Sequence, residues 1–103
     1  MKDDQILKLF LEQLRQQLGL HLKQVILFGS RARGDFTPDS DYDCLVVVDE
    51  VSPEIKEKIY EITGEILYQH NELFAVLPMP QDKYENDIYE PFLMNRVYID
   101  LDS

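Results

Sequence analysis

Cysteine is almost absent from this chain of 103 residues, which contains only Cys44, inside an apolar run. A single cysteine excludes a disulfide framework within the chain and is typical of a protein in a reducing cytosol. His21 and His70 stand in no recognisable triad pattern with this thiol. We therefore expect Cys44 to be a small core residue rather than a nucleophile.

Long apolar runs are also missing from the sequence. No run approaches the roughly 20 residues that a membrane-spanning helix requires. Residues 1–5 lead directly into an amphipathic pattern, so we expect no signal segment. These two absences predict a cytoplasmic protein with no membrane partner.

Positive charge is scarce, since 10 Lys and Arg stand against 20 Asp and Glu and give a net charge of −10. Phosphate contacts need a basic surface, so we expect no direct binding to nucleic acid. An acidic chain suits a basic protein partner or a site that collects divalent cations. The length and the hydrophobic share of 45 % predict one globular domain over residues 1–103.

Hydrophobic periodicity predicts helices alternating with strands. A helix over 3–18 is capped by Asp3 or Asp4 and ends at Gly19. Ser52-Pro53 opens a second long helix, with an apolar stripe of Ile55, Ile59, Ile62 and Ile66. The other predicted elements are strands over 23–28, 41–49 and 72–77, the last ended by Pro78 and Pro80; a helical turn over 30–33; a helix over 82–94 made irregular by Pro91; and a strand over 97–101. This order indicates an α/β or α+β fold, with a small sheet flanked by helices.

A polar stretch, GSRARGDFTPDSDYD over residues 29–43, stands between two apolar runs. Asp41 and Asp43 are two residues apart at the start of a strand, so both carboxylates project from one face, with Cβ atoms ~7 Å apart. Both could reach a shared Mg²⁺, which favours carboxylates together with substrate phosphates. An Asp-x-Asp pair alone is more typical of two solvated acids at a strand edge.

The preceding strand ends in a second polar feature. Gly29 allows the backbone to come close to a ligand, and Ser30 offers a hydroxyl at the start of a helical turn, where N–H groups attract phosphate. Arg31 and Arg33 supply the only concentrated positive charge in this region. Together these residues predict a turn that holds phosphate beside a pair that holds metal.

The remaining polar residues of the stretch have simpler interpretations. Asp35 and Asp39 are interpreted as solvated turn residues. Ser40 either fixes the turn or touches phosphate. Tyr42 alternates away from the two aspartates, so we expect it to pack in the core.

The spacing Gly-Ser, ten residues, Asp-x-Asp resembles the signature of the polymerase-beta-like nucleotidyltransferases. The longer string FGSRARGDFTPDSDYD resembles the minimal nucleotidyltransferases, the MNT group, and the resemblance covers most of the chain. It implies a polymerase-beta-like core with a small mixed sheet, ATP as substrate and two Mg²⁺ ions. The implied nucleotide-binding residues are Gly29, Ser30, Arg31 and Arg33, and the implied catalytic metal ligands are Asp41 and Asp43.

The family usually has a third acid on a neighbouring strand, most often Asp. Glu72, at the start of the third predicted strand, is the candidate for a catalytic metal ligand or for a base toward an attacking hydroxyl. Asn71 is the alternative for this place. The other interpretation of Glu72 is an exposed acid at the entry to a strand.

The resemblance also implies a biological role. MNT proteins are typically antitoxins of HEPN ribonuclease toxins, which they neutralise by adding AMP to a tyrosine. Because the chain ends soon after the core, we expect such a partner to complete the acceptor site. Two alternatives stay open: a nucleotidyltransferase that modifies an aminoglycoside-type small molecule, and a non-catalytic antitoxin that masks its toxin by binding.

Overall fold

The computed structural model describes residues 4–34, 37, 40–86 and 97–99. Within these ranges helices and strands alternate in the predicted order. The helices are α1 (Gln5–Leu18), α2 (Gly29–Arg33), α3 (Pro53–His70) and α4 (Gln81–Asn86), with a 3₁₀ turn (Gly19–His21) directly after α1. The strands are β1 (Leu22–Phe28), β2 (Tyr42–Val48), β3 (Phe74–Pro80) and β4 (Val97–Ile99).

The strands form one mixed sheet in the order β3-β2-β1-β4. β1 pairs antiparallel with both β2 and β4, whereas β2 and β3 run parallel and are joined through α3. Because β2 is an inner strand, its residues 44–48 are all buried, as their unbroken apolar run predicts. The predicted α/β architecture, a small mixed sheet flanked by helices, is confirmed.

Both long helices begin and end at residues whose chemistry favours those positions. Asp4 caps α1 and Ser52 caps α3, each accepting a hydrogen bond from the backbone N–H three residues on. Asp3, the other predicted cap, lies outside the described residues. Gly19 ends α1 at a φ of 55°, and Asn71 ends α3 in the left-handed conformation at a φ of 54°.

The sheet separates two apolar clusters. On one side, which we call the helix face, the predicted stripe of α3 packs with α1 and with alternate residues of β2, from Tyr42 to Val48. On the other side, the far face, Leu45 and Val47 of β2 pack with Ile26 and Met79. None of the helices in the described part of the chain combines the length and apolar character needed to cross a membrane.

The strand β3 continues through both of its prolines, so the prediction that they end it is wrong. The N–H of Tyr42 donates to the carbonyl of Leu73 at 2.9 Å. In a parallel ladder this bond means that the N–H and C=O groups of odd-numbered β3 residues point toward β2. Those of even-numbered residues point away from it. Pro78 and Pro80 therefore lie on the outer edge, where a missing N–H costs no ladder bond.

The remaining boundaries also differ from the prediction. β3 begins at Phe74 rather than at residue 72, because α3 ends only at His70 and Asn71 then reverses the chain direction. The predicted helix over 82–94 is seen as α4, and residues 87–94, with Pro91, lie outside the described residues. The predicted strand over 97–101 is seen as β4, whose last described residue is Ile99.

Tyr42 joins the beginnings of α1, β2 and β3. Its hydroxyl donates to the carboxylate of Asp4, whose oxygens lie 2.8 and 3.0 Å away. Its ring stacks on Phe74 with centroids 4.4 Å apart, and Phe74 stacks in turn on Phe10 at 4.3 Å. Burial, and then the hydrogen bond to Asp4, raise the pKa of Tyr42 above its ordinary value. The prediction that Tyr42 packs in the core is confirmed.

Tyr42→Phe should lower the free energy of unfolding by about 1 kcal/mol, because Asp4 loses a hydrogen-bond donor at a partly buried position. Tyr68→Phe is the matched control, since Tyr68 is 88 % exposed on α3 and its change should stay within about 0.5 kcal/mol. Urea unfolding at neutral pH measures both changes. Equal losses in the two variants would contradict the role given to the Asp4 contact.

The same substitution tests the raised pKa of Tyr42. A group whose pKa is raised on folding contributes stability that is complete below its unfolded pKa, about 10 for tyrosine, and is lost as the pH rises above it. The wild-type protein should therefore lose more stability than the Tyr42→Phe variant between pH 9 and 11. Urea unfolding across this interval gives the comparison, and parallel losses would show that Tyr42 titrates like an exposed tyrosine.

Candidate functional site

The end of β1 and the start of β2 bring the two ends of the polar stretch together. The chain leaves β1 at Phe28, turns at Gly29 with a φ of 75° and enters α2. The antiparallel register pairs Phe28 with Asp43, so this turn lies beside the Asp-x-Asp segment. The predicted helical turn over 30–33 is present, and Gly34 follows it at a φ of 87°.

Gly29 lies directly against the carboxylate of Asp43. A Cβ at position 29 would overlap Oδ2 of Asp43 and would lie 3.2 Å from its carboxyl carbon. The missing side chain therefore makes the space that the carboxylate occupies. Gly29 is required twice at this place, once for its positive φ and once for this close approach.

The two aspartates of the Asp-x-Asp segment belong to the far face of the sheet. Tyr42 and Cys44 pack on the helix face, whereas Leu45 packs on the far face. Strand alternation therefore directs Asp43, and Asp41 before it, to the far face. Asp43 is half-buried beside the Gly29 turn, and Asp41 is exposed immediately before the first residue of β2.

Arg31 is an interior residue, with only 7 % of its side chain exposed. Its Nε donates to the carbonyl oxygen of Ser40 at 3.2 Å, and its guanidinium carbon lies 3.8 Å from the ring centroid of Tyr42. Phe74 already stacks on one face of that ring, so the guanidinium covers the opposite face. The sequence predicts a nucleotide contact for Arg31, whereas the structure shows contacts within the protein.

Glu72 lies beside Arg31 and not with the two aspartates. Its Oε2 is 3.8 Å from Nη2 of Arg31. Glu72 stands two residues before Phe74, which packs on the helix face, so an extended backbone directs both side chains to the same side. The β3 residue paired with Asp43 is Ala75. Across residues 4–34, 37, 40–86 and 97–99, no three His, Cys, Asp or Glu side chains gather as a metal cluster. The structure therefore does not bring the predicted third acid to the Asp-x-Asp pair.

The other candidates of the polar stretch fall into two groups. Ser40 forms the turn, since its hydroxyl accepts from the N–H of Thr37 at 2.9 Å and its own N–H donates to the Thr37 carbonyl at 3.0 Å. Asn71, the alternative to Glu72, is exposed and ends α3. The parts that lie outside the described structure are the side chains of Ser30 and Arg33, whose backbones belong to α2, and the whole of Asp35 and Asp39.

Cys44 is a core residue, as predicted. Burial, and then the negative charge of Asp43, raise the pKa of its thiol. A thiol that keeps its proton is a poor nucleophile. His21 lies at the opposite end of the sheet, where its Nδ1 is 2.9 Å from Asp49, and this hydrogen bond lowers the pKa of the Asp49 carboxyl.

Sequence reasoning missed the residues that hold the Asp-x-Asp segment in place. Asp4 is predicted only as a helix cap, and Phe74 only as a strand residue, yet both contact Tyr42. The available signal is the position of Tyr42 between two aspartates, which predicts that it packs. Its packing partners follow only from how α1 and β3 lie on the sheet.

The chain matches the family model described as a nucleotidyltransferase domain over residues 7–98. This match includes the Gly29 turn, the Asp-x-Asp segment and all four strands except the last residue of β4. The chain therefore belongs to the nucleotidyltransferase domain family.

Two proteins of Methanocaldococcus jannaschii, both provisionally named protein adenylyltransferases, are similar to part of this chain. One is 43 % identical over 49 residues, which are 48 % of this chain and 49 % of the relative. The other is 46 % identical over 54 residues, which are 52 % of this chain and 54 % of the relative. The chain thus spans about half the length of the curated relatives it matches.

Two solved structures share this fold. A crystal structure of a provisionally named nucleotidyltransferase from Sulfolobus solfataricus has a TM-score of 0.56 and 23 % identity, covering 90 % of this chain and 78 % of that one. A crystal structure of a toxin–antitoxin with AMP-PNP has a TM-score of 0.55 and 18 % identity, covering 69 % and 55 %. At these identities the likeness shows the fold alone.

Nucleotidyltransferase domains generally use a divalent metal ion. Asp41 and Asp43 offer two carboxylates on one face, and Mg²⁺ binds through one or two carboxylates together with substrate phosphates. Gly29 leaves room for one of these carboxylates beside the turn. The aspartates therefore fit such an ion, whereas Glu72 is engaged with Arg31.

Gly29→Ala and Gly34→Ala together test the close approach to Asp43. Both substitutions place a side chain on a backbone with positive φ, at a cost of roughly 1–2 kcal/mol. Among the described residues, a Cβ at Gly34 meets no heavy atom within 4 Å, whereas a Cβ at Gly29 meets Asp43. Gly29→Ala should therefore destabilise the protein more, and it should also weaken Mn²⁺ binding because the carboxylate is displaced.

Urea unfolding measures the stability of both variants, and the loss of the free Mn²⁺ signal in electron paramagnetic resonance measures binding. Gly34→Ala corrects for backbone strain, which both positions share. If the two variants lose the same stability and bind Mn²⁺ equally, the contact between Gly29 and Asp43 has no energetic role.

Proposed function

We propose that this protein is an antitoxin and a protein adenylyltransferase, which transfers AMP from ATP to a tyrosine hydroxyl of a cognate HEPN ribonuclease toxin and so neutralises it. The observation that carries the proposal is the packing of Gly29 on Asp43, which sets the Asp-x-Asp pair beside the turn of a nucleotidyltransferase domain. Relatives provisionally named protein adenylyltransferases support the reaction. A shared fold with a toxin–antitoxin that contains AMP-PNP, an ATP analogue, supports the biological setting.

The proposed reaction is a displacement at the α-phosphorus of ATP. The tyrosine oxygen forms a new bond to this phosphorus, the bond from the phosphorus to the bridging oxygen breaks, and pyrophosphate leaves with both bonding electrons. The tyrosine proton passes to water or to a carboxylate of the site. The products are an adenylylated tyrosine and pyrophosphate, so the reaction requires no oxidant or reductant.

The residues of the chain have separate tasks in this proposal. Gly29, Ser30 and Arg33 would receive the triphosphate at the turn, and Asp41 and Asp43 would hold two Mg²⁺ ions together with its oxygens. When bound, these ions lower the pKa of the attacking hydroxyl and neutralise charge on the pyrophosphate. The exposure of Asp41 leaves its carboxylate accessible to ATP, and Asp43 is half-buried against Gly29.

The charge of the chain suits the proposed partner. A net charge of −10 repels nucleic acid but attracts a basic surface, and a ribonuclease needs such a surface to hold RNA. Association of the two proteins would place the acceptor tyrosine at the far face, where Asp41 is exposed. We place this pair in the cytoplasm.

One observation favours a second candidate, a non-catalytic antitoxin that masks its toxin by binding. The β3 residue paired with Asp43 is Ala75, and Glu72 is engaged with Arg31, so the described residues place no third acid beside the pair. A site with two carboxylates holds metal less tightly than one with three. This candidate predicts tight binding without modification.

Asp41→Asn and Asp43→Asn should each abolish AMP transfer while leaving the fold intact, because each replaces a charged oxygen ligand with a neutral amide. Asp49→Asn is the matched control, since Asp49 is an exposed aspartate at the opposite end of β2 and should leave transfer unchanged. The cognate HEPN protein is incubated with this chain, ATP and Mg²⁺, and mass spectrometry measures the gain of one AMP. Circular dichroism verifies the fold of each variant.

The outcomes separate the candidate functions. A gain of AMP on the partner that disappears in both site variants supports the adenylyltransferase. Stable binding without a mass change supports the masking antitoxin, and modification of an added aminoglycoside without any partner supports the small-molecule enzyme. Transfer at the wild-type rate in both Asn variants would show that the Asp-x-Asp pair is not the site.

A further inference from the structure

Both chain neighbours of Asp41 are held by the same side chain. Arg31 donates from Nε to the carbonyl oxygen of Ser40, the residue before Asp41, at 3.2 Å. Its guanidinium also lies 3.8 Å from the ring centroid of Tyr42, the residue after Asp41. Asp41 itself is exposed and precedes the first residue of β2, so Arg31 contacts the backbone of the residue before it and the side chain of the residue after it.

The guanidinium group suits this double contact. It is planar, so it can lie flat on an aromatic ring while an N–H at its edge donates in its own plane. A lysine ammonium has no plane and cannot make both contacts from one position. With 7 % of the side chain exposed, Arg31 presents little surface to a triphosphate.

Glu72 approaches the same guanidinium from the β3 side. Its carboxylate lies 3.8 Å from Nη2 of Arg31, and 28 % of its side chain is exposed. The acid offsets the charge of a cation that is largely removed from water. Tyr42 is therefore covered by an arginine that is itself contacted by an acid from the segment before β3.

We infer that Arg31 is a positioning residue of the nucleotidyltransferase site, which holds Asp41 at its working distance from Asp43, and that Glu72 supports it. This inference rests on the proposed function for its kinetic readout. Arg31 then acts through Asp41 rather than on the phosphates of ATP, and Arg33 is left as the arginine for that contact. Residues that orient metal ligands typically contribute about 10- to 100-fold in metal affinity or activity.

Arg31→Met and Arg31→Lys test this role, with Arg33→Met as the matched variant in the same short helix. Arg31→Met should reduce Mn²⁺ affinity and kcat about tenfold or more and leave the KM for ATP within about twofold. Arg31→Lys should restore little of the Mn²⁺ affinity or kcat, because lysine keeps the positive charge but lacks the planar guanidinium group. Arg33→Met should instead raise the KM for ATP and leave Mn²⁺ affinity unchanged.

A further readout needs neither metal nor acceptor. Hydrogen exchange by NMR at the amide of Tyr42, which donates to the carbonyl of Leu73, should accelerate in Arg31→Met and stay unchanged in Arg33→Met. If Arg31→Met fails to fold, Glu72→Gln replaces it and should give a smaller change of the same kind, since it removes the supporting charge alone.

The readouts distinguish failure of this inference from failure of the proposed function. Absence of AMP transfer by the wild-type protein counts against the proposed function, while amide exchange and Mn²⁺ affinity still test the role of Arg31. A raised KM for ATP in Arg31→Met, with wild-type Mn²⁺ affinity and wild-type exchange at the Tyr42 amide, would make Arg31 a phosphate contact and overturn the inference.

Discussion

The burial of Tyr42 between two aspartates is the constraint on which the candidate site depends. A strand residue that points into the core directs both of its neighbours to the opposite face, so the packing of one ring orients two carboxylates. That ring is held from three directions, by Asp4 at its hydroxyl, by Phe74 on one face and by Arg31 on the other. Two neighbouring like charges are thus oriented by a neutral core residue that lies between them in the chain.

The backbone geometry of Gly29 also determines where the Asp43 carboxylate lies. Gly29 ends its strand with a positive φ and leaves the space in which the Asp43 carboxylate lies, so the turn and the acid are in direct contact. The site consequently lies where β1 ends and β2 starts, at an exposed end of a well-packed sheet. This division between a rigid interior and an accessible edge is the usual arrangement for residues that must hold a ligand accurately placed.

The net charge of the chain and the charge of Arg31 differ in sign. The chain as a whole carries a net charge of −10, which suits a basic partner. Inside the fold, however, the positive charge of Arg31 is enclosed by an aromatic ring, a backbone carbonyl and Glu72. The sequence predicts a nucleotide contact for Arg31, yet its observed contacts are with protein groups, and the neighbouring residues in the sequence give no sign of this difference.

Local patterns in the sequence determined the secondary-structure elements and the candidate acidic pair of this protein. The helix caps at Asp4 and Ser52, the isoleucine stripe of α3, the alternating order of elements and the Asp-x-Asp pair all follow from patterns within a few residues, because caps and periodicity are local effects. Only the tertiary structure decided the rest. Pro78 and Pro80 continue β3 because that strand lies at the edge of the described sheet, and sheet order is a long-range property. The proximity of Glu72 to Arg31 depends on how the segment before β3 lies against α2, and the burial of Arg31 depends on where the Tyr42 ring lies. Such features arise from contacts between segments far apart in the chain, which no local pattern encodes.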